Sequence, residues 1–249
     1  MPSSVRWKTC SHCLGLIDEL GIGTEFTKAQ MQEMGYSNIT VTKATRLQYH
    51  FMKQIRAYLA SKGRKMIGWQ ESINDEYDLD HVDAWEFPNG MVESWTSTAR
   101  GVFAAKKGID VVMAPSWGCY FDIMQTATPG EPGDGPVNGG STSNGNKTSL
   151  TPDQWRPVTL SAAYDWNPCN GIPAANTAYV KGVECAMWTE FISTTEQLEY
   201  MLLPRLAATA EVGWSLQEGK DFGRFTTSLE ERQFGVYDLL GYNYRRVYE

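Results

Sequence analysis

The segment "GVECAMWTEFISTTEQ", residues 182–197, decides the fold. The apolar run that enters it, Val180 to Met187, is short and mostly uncharged, which is the composition of a strand buried on both faces. It is followed by Trp188 and Glu190. Residues i and i+2 of a strand share a face, so the indole and the carboxylate are expected to project together from the strand's C-terminal end. Ser193 and Glu196 then match a capping box and open a helix. A ring beside a carboxylate at a strand-to-helix junction points to a ligand site. The plain alternative is a core tryptophan next to a solvated glutamate.

Recurrence favours the site. "KMIGWQE" ends in Trp69 and Glu71, "VVMAPSWGCYFD" in Tyr120 and Asp122, and "GMVESW" in Trp95. Each of these apolar runs finishes in an aromatic residue, and most add a carboxylate two positions on. Parallel strands that deliver polar groups from one end are the pattern of an α/β barrel, whose site lies at the C-terminal face. The elements between them agree. Residues 4–20 and 44–62 read as helices, the second with Leu47, Phe51, Ile55, Tyr58 and Leu59 on one stripe and Gly63 as its stop. Strands are expected at 65–70, 91–95, 110–115 and 180–187. Further helices are expected at 99–107, 194–213 and 227–240, with Pro204 kinking the second of these. Residues 129–149, "PGEPGDGPVNGGSTSNGNKTS", are too rich in Gly, Pro, Asn and Ser to pack a core. They read as a loop insertion rather than a linker, because strand–helix alternation resumes after them.

Composition narrows the function classes. A formal net charge of -7 disfavours nucleic acid and anionic membrane as partners. No apolar stretch reaches membrane-spanning length. Nine Trp and twelve Tyr supply many flat apolar faces, which suit sugar rings as well as cores. Cys10 and Cys13 form a C-x-x-C, but a zinc site would want a second pair or nearby histidines, and His12, His50 and His81 are the only three. The pair is read as structural and no metal site or cofactor is expected. Asn38 and Asn146 each begin a glycosylation tripeptide, a weak signal.

At "WTEFISTTEQLEYMLLPRLAATAEVGWS" the chain resembles glycoside hydrolase family 20, the β-N-acetylhexosaminidases. "RWKTCSHC", "SKGRKMIGWQE", "KKGIDVVMAPSWGCYFD", "YDWNP" and "LLGYNYR" carry the likeness through nearly the whole chain, in family order. The resemblance implies a TIM-type (β/α)₈ barrel. Residues 1–249 would be the C-terminal part of its catalytic domain, supplying about the last four β/α units. It also implies removal of terminal β-linked N-acetylhexosamine with the substrate's own acetamido oxygen as nucleophile. By the same resemblance Trp69, Trp95 and Trp188 wall the acetamido pocket. Tyr120 orients the acetamido oxygen, Asp122 and Glu190 bind sugar hydroxyls, and Trp166 matches a further sugar contact.

The family's acid/base motif, His-x-Gly-Gly-Asp-Glu, is absent from the sequence. The chain is therefore expected to be inactive alone. Asp75-Glu76 lacks the preceding motif and reads as a solvated loop pair. Four strands would leave two sheet edges and an inner face uncovered. A complementing N-terminal half or a second copy of the chain is the expected partner. The alternatives are a non-catalytic sugar-binding or scaffold protein, and a half-barrel subunit closed by dimerisation. Family habit implies secretion, the periplasm or the lysosome.

Overall fold

The computed structural model describes residues 52–72, 89–126, 157–189 and 192–246. The expected helix 4–20, the C-x-x-C pair, both glycosylation tripeptides, Asp75-Glu76, the 129–149 insertion and Glu190 lie outside those residues. The chain divides into two compact units. One takes the residues up to Val92 together with Lys107–Asp110, and the other takes Glu93–Lys106 and Val111 onward.

In the first unit, α1 (52–61) closes on Gly63, whose φ of 68° is open to glycine at little cost. The Gly63 N–H donates to the Ala60 carbonyl at 2.9 Å and the Arg64 N–H to the Leu59 carbonyl at 2.9 Å, satisfying the last turn. Strand β1 (Ile67–Trp69) follows and runs into a short 3₁₀ turn, Gln70–Ser72. Strand β2 (Met91–Ser94) starts beside it, with the Met91 N–H on the Met66 carbonyl at 3.0 Å. A Cβ at position 68 would stand 2.3 Å from Ser72 Oγ, so a side chain there would require Ser72 to shift.

The second unit begins within β2. Helix α2 (Thr98–Lys106) leads to β3 (Asp110–Met113), and β3 pairs in parallel with β4 (Val180–Val183). The order β2-β3-β4 follows the chain. The ends of β2 and β3 also leave side by side, with the Ala114 N–H on the Ser94 carbonyl at 2.9 Å. Successive parallel strands joined by helices are an α/β arrangement of TIM-barrel type.

Each face of this sheet has its own chemistry. Val111 and Met113 are fully buried and face the helices, where α2 comes so close that a Cβ on Gly101 would stand 2.3 Å from Met113 Sδ. Ser94 faces the same way: its Oγ accepts the Gly101 N–H at 2.8 Å and donates to the Ser97 carbonyl at 2.6 Å, tying the strand end to the helix start. By the alternation of strands, Glu93, Trp95, Val112, Ala114, Gly182 and Glu184 belong to the opposite, inner face.

Beyond Met113 the chain makes a helical turn, α3 (Ser116–Cys119), and then rejoins the sheet at a parallel bridge between Tyr120 and Ala186. Two short elements, α4 (Leu160–Tyr164) and the 3₁₀ segment Ala174–Tyr179, precede β4. The expected helix 194–213 is two helices, α5 (Thr195–Leu202) and α6 (Arg205–Trp214), separated by Leu203 and Pro204. The last expected helix starts earlier, as α7 (Phe222–Ser228), and passes through a π turn, Leu229–Gln233, into α8 (Phe234–Leu240). Asp221 caps α7 by accepting the Arg224 N–H at 2.9 Å. The helix-side core gathers Phe121, Leu160, Tyr164, Ala208, Phe225 and Phe234, with the Tyr164 and Phe225 rings 4.8 Å apart.

The capping box at the start of α5 sits one residue later than expected. Thr194 is the cap, accepting the Gln197 N–H at 3.1 Å, while Gln197 Oε1 accepts the Ser193 N–H at 3.0 Å. Ser193/Thr194 and Glu196/Gln197 offer two registers of the same motif, and the chain uses the second.

Candidate active site

Three of the aromatic residues singled out in the sequence meet at the C-terminal end of the sheet. Trp95 stacks on Tyr120 with centroids 6.0 Å apart and planes 16° from parallel. Trp188 meets the same tyrosine edge-on, at 5.9 Å and 60°. Tyr120 is thus the middle ring of a continuous aromatic wall, 9% exposed itself and flanked by half-buried indoles. The local cause is the bridge that brings the chain back to the sheet after α3. The Ala186 N–H donates to the Cys119 carbonyl and the Phe121 N–H to the Ala186 carbonyl, both at 2.8 Å. These bonds hold Tyr120 beside the extension of β4 that carries Trp188.

Asp122 lies two residues on, 6% exposed. The turn carrying it is held by Arg205, the first residue of α6, whose side chain is fully buried. Its guanidinium donates to the carbonyls of Phe121 (2.7 Å), Ile123 (2.7 Å), Val158 (2.9 Å) and Met201 (3.0 Å). It also lies 4.6 Å from the centroid of the Phe121 ring. Burial pushes the guanidinium down to about 9, and the Asp122 carboxylate opposes that shift most strongly. The group is therefore a cation at neutral pH, with its planar fork matched to converging carbonyls. Gln125 adds a second tie, its amide donating to the Leu203 carbonyl at 3.2 Å and to the Tyr200 carbonyl.

Trp166 stands apart from the wall. It is 7% exposed, its indole N–H donates to the Ala163 carbonyl at 3.2 Å, and its ring meets Trp117 edge-on at 5.9 Å. Trp69 ends β1 in the first unit and is half-buried.

Two groups that the sequence reading passed over complete the picture. Glu93 is 8% exposed on the inner face, and its Oε1 has no hydrogen-bond partner. Burial and then the neighbouring Glu184 charge raise the Glu93 carboxyl to about 7. The thiols of Cys119 and Cys185 are free and pushed up, chiefly by burial, so neither is a thiolate nucleophile at neutral pH. Among the described residues no group of three or more His, Cys, Asp or Glu is arranged to hold a metal ion.

The arrangement offers flat apolar faces and a central phenol. Such a surface binds a ring with one polar substituent and excludes water from it.

Comparison with known proteins decides the family. The model of the glycosyl hydrolase family 20 catalytic domain matches residues 5–217. The chain belongs to glycoside hydrolase family 20. A family member from Porphyromonas gingivalis, a β-hexosaminidase, is 30% identical over 241 residues, 96% of this chain and 25% of that protein. The β-N-acetylhexosaminidase of Cellulomonas fimi is 30% identical over 185 residues, 73% of this chain and 32% of its own length. Among solved family 20 structures, the exo-β-N-acetylglucosaminidase of Vibrio harveyi in complex with N-acetylglucosamine superposes with a TM-score of 0.68 at 27% identity, covering 88% of this chain and 30% of that one. The chain thus spans about a quarter to a third of the length of these relatives. Its sheet and helices are a TIM-barrel-type fragment of a family 20 catalytic domain.

Proposed function

We propose that this chain is the sugar- and acetamido-binding part of a β-N-acetylhexosaminidase that removes terminal β-linked N-acetylhexosamine. The observation that carries the reading is the Trp95–Tyr120–Trp188 wall, with Tyr120 at its centre. In this reading Trp95 and Trp188 enclose the N-acetyl group and the sugar face. The Tyr120 hydroxyl donates to the acetamido oxygen. As that oxygen attacks the anomeric carbon its charge develops, so the donor serves the transition state more than the ground state. Asp122 and Glu190 hold sugar hydroxyls, and Trp166 makes a further sugar contact.

The acid that protonates the leaving group, and the carboxylate that orients the acetamido group, come from a His-x-Gly-Gly-Asp-Glu motif outside residues 1–249. General acid catalysis is typically worth roughly 10²–10⁴-fold. The chain alone therefore binds sugar without hydrolysing it, and a complementing N-terminal half or a second copy covers its inner face. Binding is tested by tryptophan emission of the purified chain during titration with N-acetylglucosamine and with glucose. The N-acetyl sugar should shift the emission and glucose should not. An equal response to both, or a response to neither, removes the acetamido pocket from the reading.

A further inference from the structure

We propose that Arg205 and Gln125 are positioning residues for sugar recognition: from the helix side of the sheet they fix the backbone of Asp122, so that its carboxylate meets the sugar hydroxyls at one angle. The inference rests on the sugar-binding reading above and adds to it the residues that aim one of its contacts.

Beyond the bridge at Tyr120, residues 121–125 belong to neither helix nor strand, so no regular ladder sets the direction of their side chains. The two ends of this stretch are held by different elements. At the first end, Tyr120 is held by the extension of β4. The Cys119 carbonyl accepts the Ala186 N–H and the Phe121 N–H donates to the Ala186 carbonyl, both at 2.8 Å, so the peptides on either side of Tyr120 are tied to one residue. At the other end, Gln125 is 3% exposed and reaches the joint between α5 and α6. Its side-chain amide donates to the Leu203 carbonyl at 3.2 Å and to the Tyr200 carbonyl.

Asp122 lies between these ends. The direction of a side chain follows from the φ and ψ of its residue, and hence from the planes of the peptides that flank it. The peptide before Asp122 is held by its carbonyl, since Phe121 O accepts from Arg205 Nη2 at 2.7 Å. The peptide after it is held by its N–H, with Ile123 donating to the Tyr120 carbonyl at 3.3 Å. The next peptide is held by Ile123 O, which accepts from Arg205 Nη1 at 2.7 Å. Two of these three ties come from one guanidinium. That group is itself immobilised: it is fully buried, 4.6 Å from the centroid of the Phe121 ring, and bonded to the carbonyls of Val158 (2.9 Å) and Met201 (3.0 Å). A planar fork reaches carbonyls from several segments at once, which a point-like ammonium does not. Hydrogen bonds weaken steeply off their axis, so a carboxylate that swings with a loosened backbone loses its hydroxyl partners. The two polar contacts of the site therefore have separate supports. Tyr120 depends on β4, and Asp122 depends on the α5–α6 joint.

The test measures N-acetylglucosamine affinity of the 249-residue chain by tryptophan emission, in the wild type, Arg205→Lys, Asp122→Asn and the double variant. Arg205→Lys should weaken binding about tenfold, the lower end of what a hydrogen bond to a charged group contributes. In the Asp122→Asn background the same change should cost less than about twofold, whereas its loss should multiply with that of Tyr120→Phe. Gly101→Ala strains the contact between α2 and β3 and should leave affinity within about twofold, which separates positioning from lost stability. Hydrogen exchange reads the same hold without sugar. In Arg205→Lys the Ile123 amide should speed up relative to the Phe121 amide, whereas a general loosening speeds both. Gln125→Met should repeat both results more weakly, and it decides the matter if Arg205→Lys lacks the wild-type near-UV circular dichroism. Wild-type affinity in Arg205→Lys, a loss that persists undiminished in Asp122→Asn, or equal speeding of the two amides overturns the proposal. Selective release of the Ile123 amide in a chain that binds no N-acetylglucosamine supports the hold on Asp122 and overturns the sugar-binding reading instead.

Discussion

Replacing Arg205 by methionine should destabilise the chain more than any other single change on the helix side of the sheet. The guanidinium is fully buried and donates to four carbonyls, those of Phe121, Ile123, Val158 and Met201. Methionine fills similar volume and donates nothing. Each buried carbonyl left without a donor costs about 1–3 kcal/mol. Phe121, Ile123 and Val158 lie outside helices and have no helical ladder to fall back on. Their loss sums to roughly 3–9 kcal/mol. Removing a buried cation returns several kcal/mol of desolvation, and measured cases of breaking such an arrangement settle at about 3–5 kcal/mol net. Domain stabilities are only about 5–15 kcal/mol, so the variant should be near the edge of folding. Arg205→Lys keeps the charge but concentrates its donors at one point, which cannot span carbonyls from three segments, and about 2 kcal/mol should be lost. Urea unfolding followed by near-UV circular dichroism measures both. The Trp95–Tyr120–Trp188 signal should go first, because Arg205 holds the carbonyls on either side of Asp122. An Arg205→Met midpoint within about 0.5 kcal/mol of wild type would refute the reasoning.

In the intact enzyme carrying this chain, Tyr120→Phe should lower kcat by roughly 10²-fold, about 3 kcal/mol, more than it raises KM; an unchanged kcat removes the acetamido-orienting role. Because Glu93 is raised from 4.5 to about 7 in the folded chain, stability should fall as pH rises through that window and level off above it, by at most about 3 kcal/mol. Urea midpoints at either end of the window measure this, and Glu93→Gln should lose the slope. Gly101→Ala places a methyl group against Met113 Sδ and 3.2 Å from Ser94 Cβ, and should cost about 1–3 kcal/mol in the same assay. Light scattering on the isolated chain should show dimers or larger assemblies rather than monomers, since β4 ends the sheet as an edge among the described residues.

The strands were legible because each is an apolar run with an aromatic at its end, and all four fall where those runs lie. Their ends were less so. The run 180–187 and the run 110–115 were both read too long, for one shared reason. The chain leaves the sheet at α3, so the ladder stops at Met113 and Val183 and resumes only at the Tyr120–Ala186 bridge. Composition does not report where a neighbouring strand departs. Pro204 was legible as a break within 194–213, whereas α4 is five residues long and shows no helical period. Of the residues singled out, Trp95, Tyr120 and Trp188, each near the end of an apolar run, come together at the C-terminal end of the sheet. Arg205 was missed because an arginine opening a helix usually faces water. Its signal was the setting, "MLLPRLAATA", where apolar residues flank a single cation.

Glu93 and Glu184 carried a similar signal, each a carboxylate set within an apolar run rather than at its end, in "GMVESW" and "GVECAMW". Strand periodicity assigns each to a face but not to a partner, because the register of β2, β3 and β4 is a tertiary fact. Once that register is fixed, the floor of the aromatic wall differs from an ordinary barrel interior, which is filled in layers by branched aliphatic side chains. Here one row holds Glu93, Val112 and Gly182, and the row above it holds Trp95, Ala114 and Glu184. The two sides of the sheet thus carry polar groups of opposite character. Arg205 fixes the Tyr120–Asp122 turn from the helix side with a charge that persists at neutral pH. On the inner side, the Glu93 carboxyl is raised to about 7 by burial and then by the neighbouring Glu184 charge. Mutating Arg205 should therefore weaken the turn that carries Tyr120 at every pH, whereas Glu93→Gln should change how stability depends on pH.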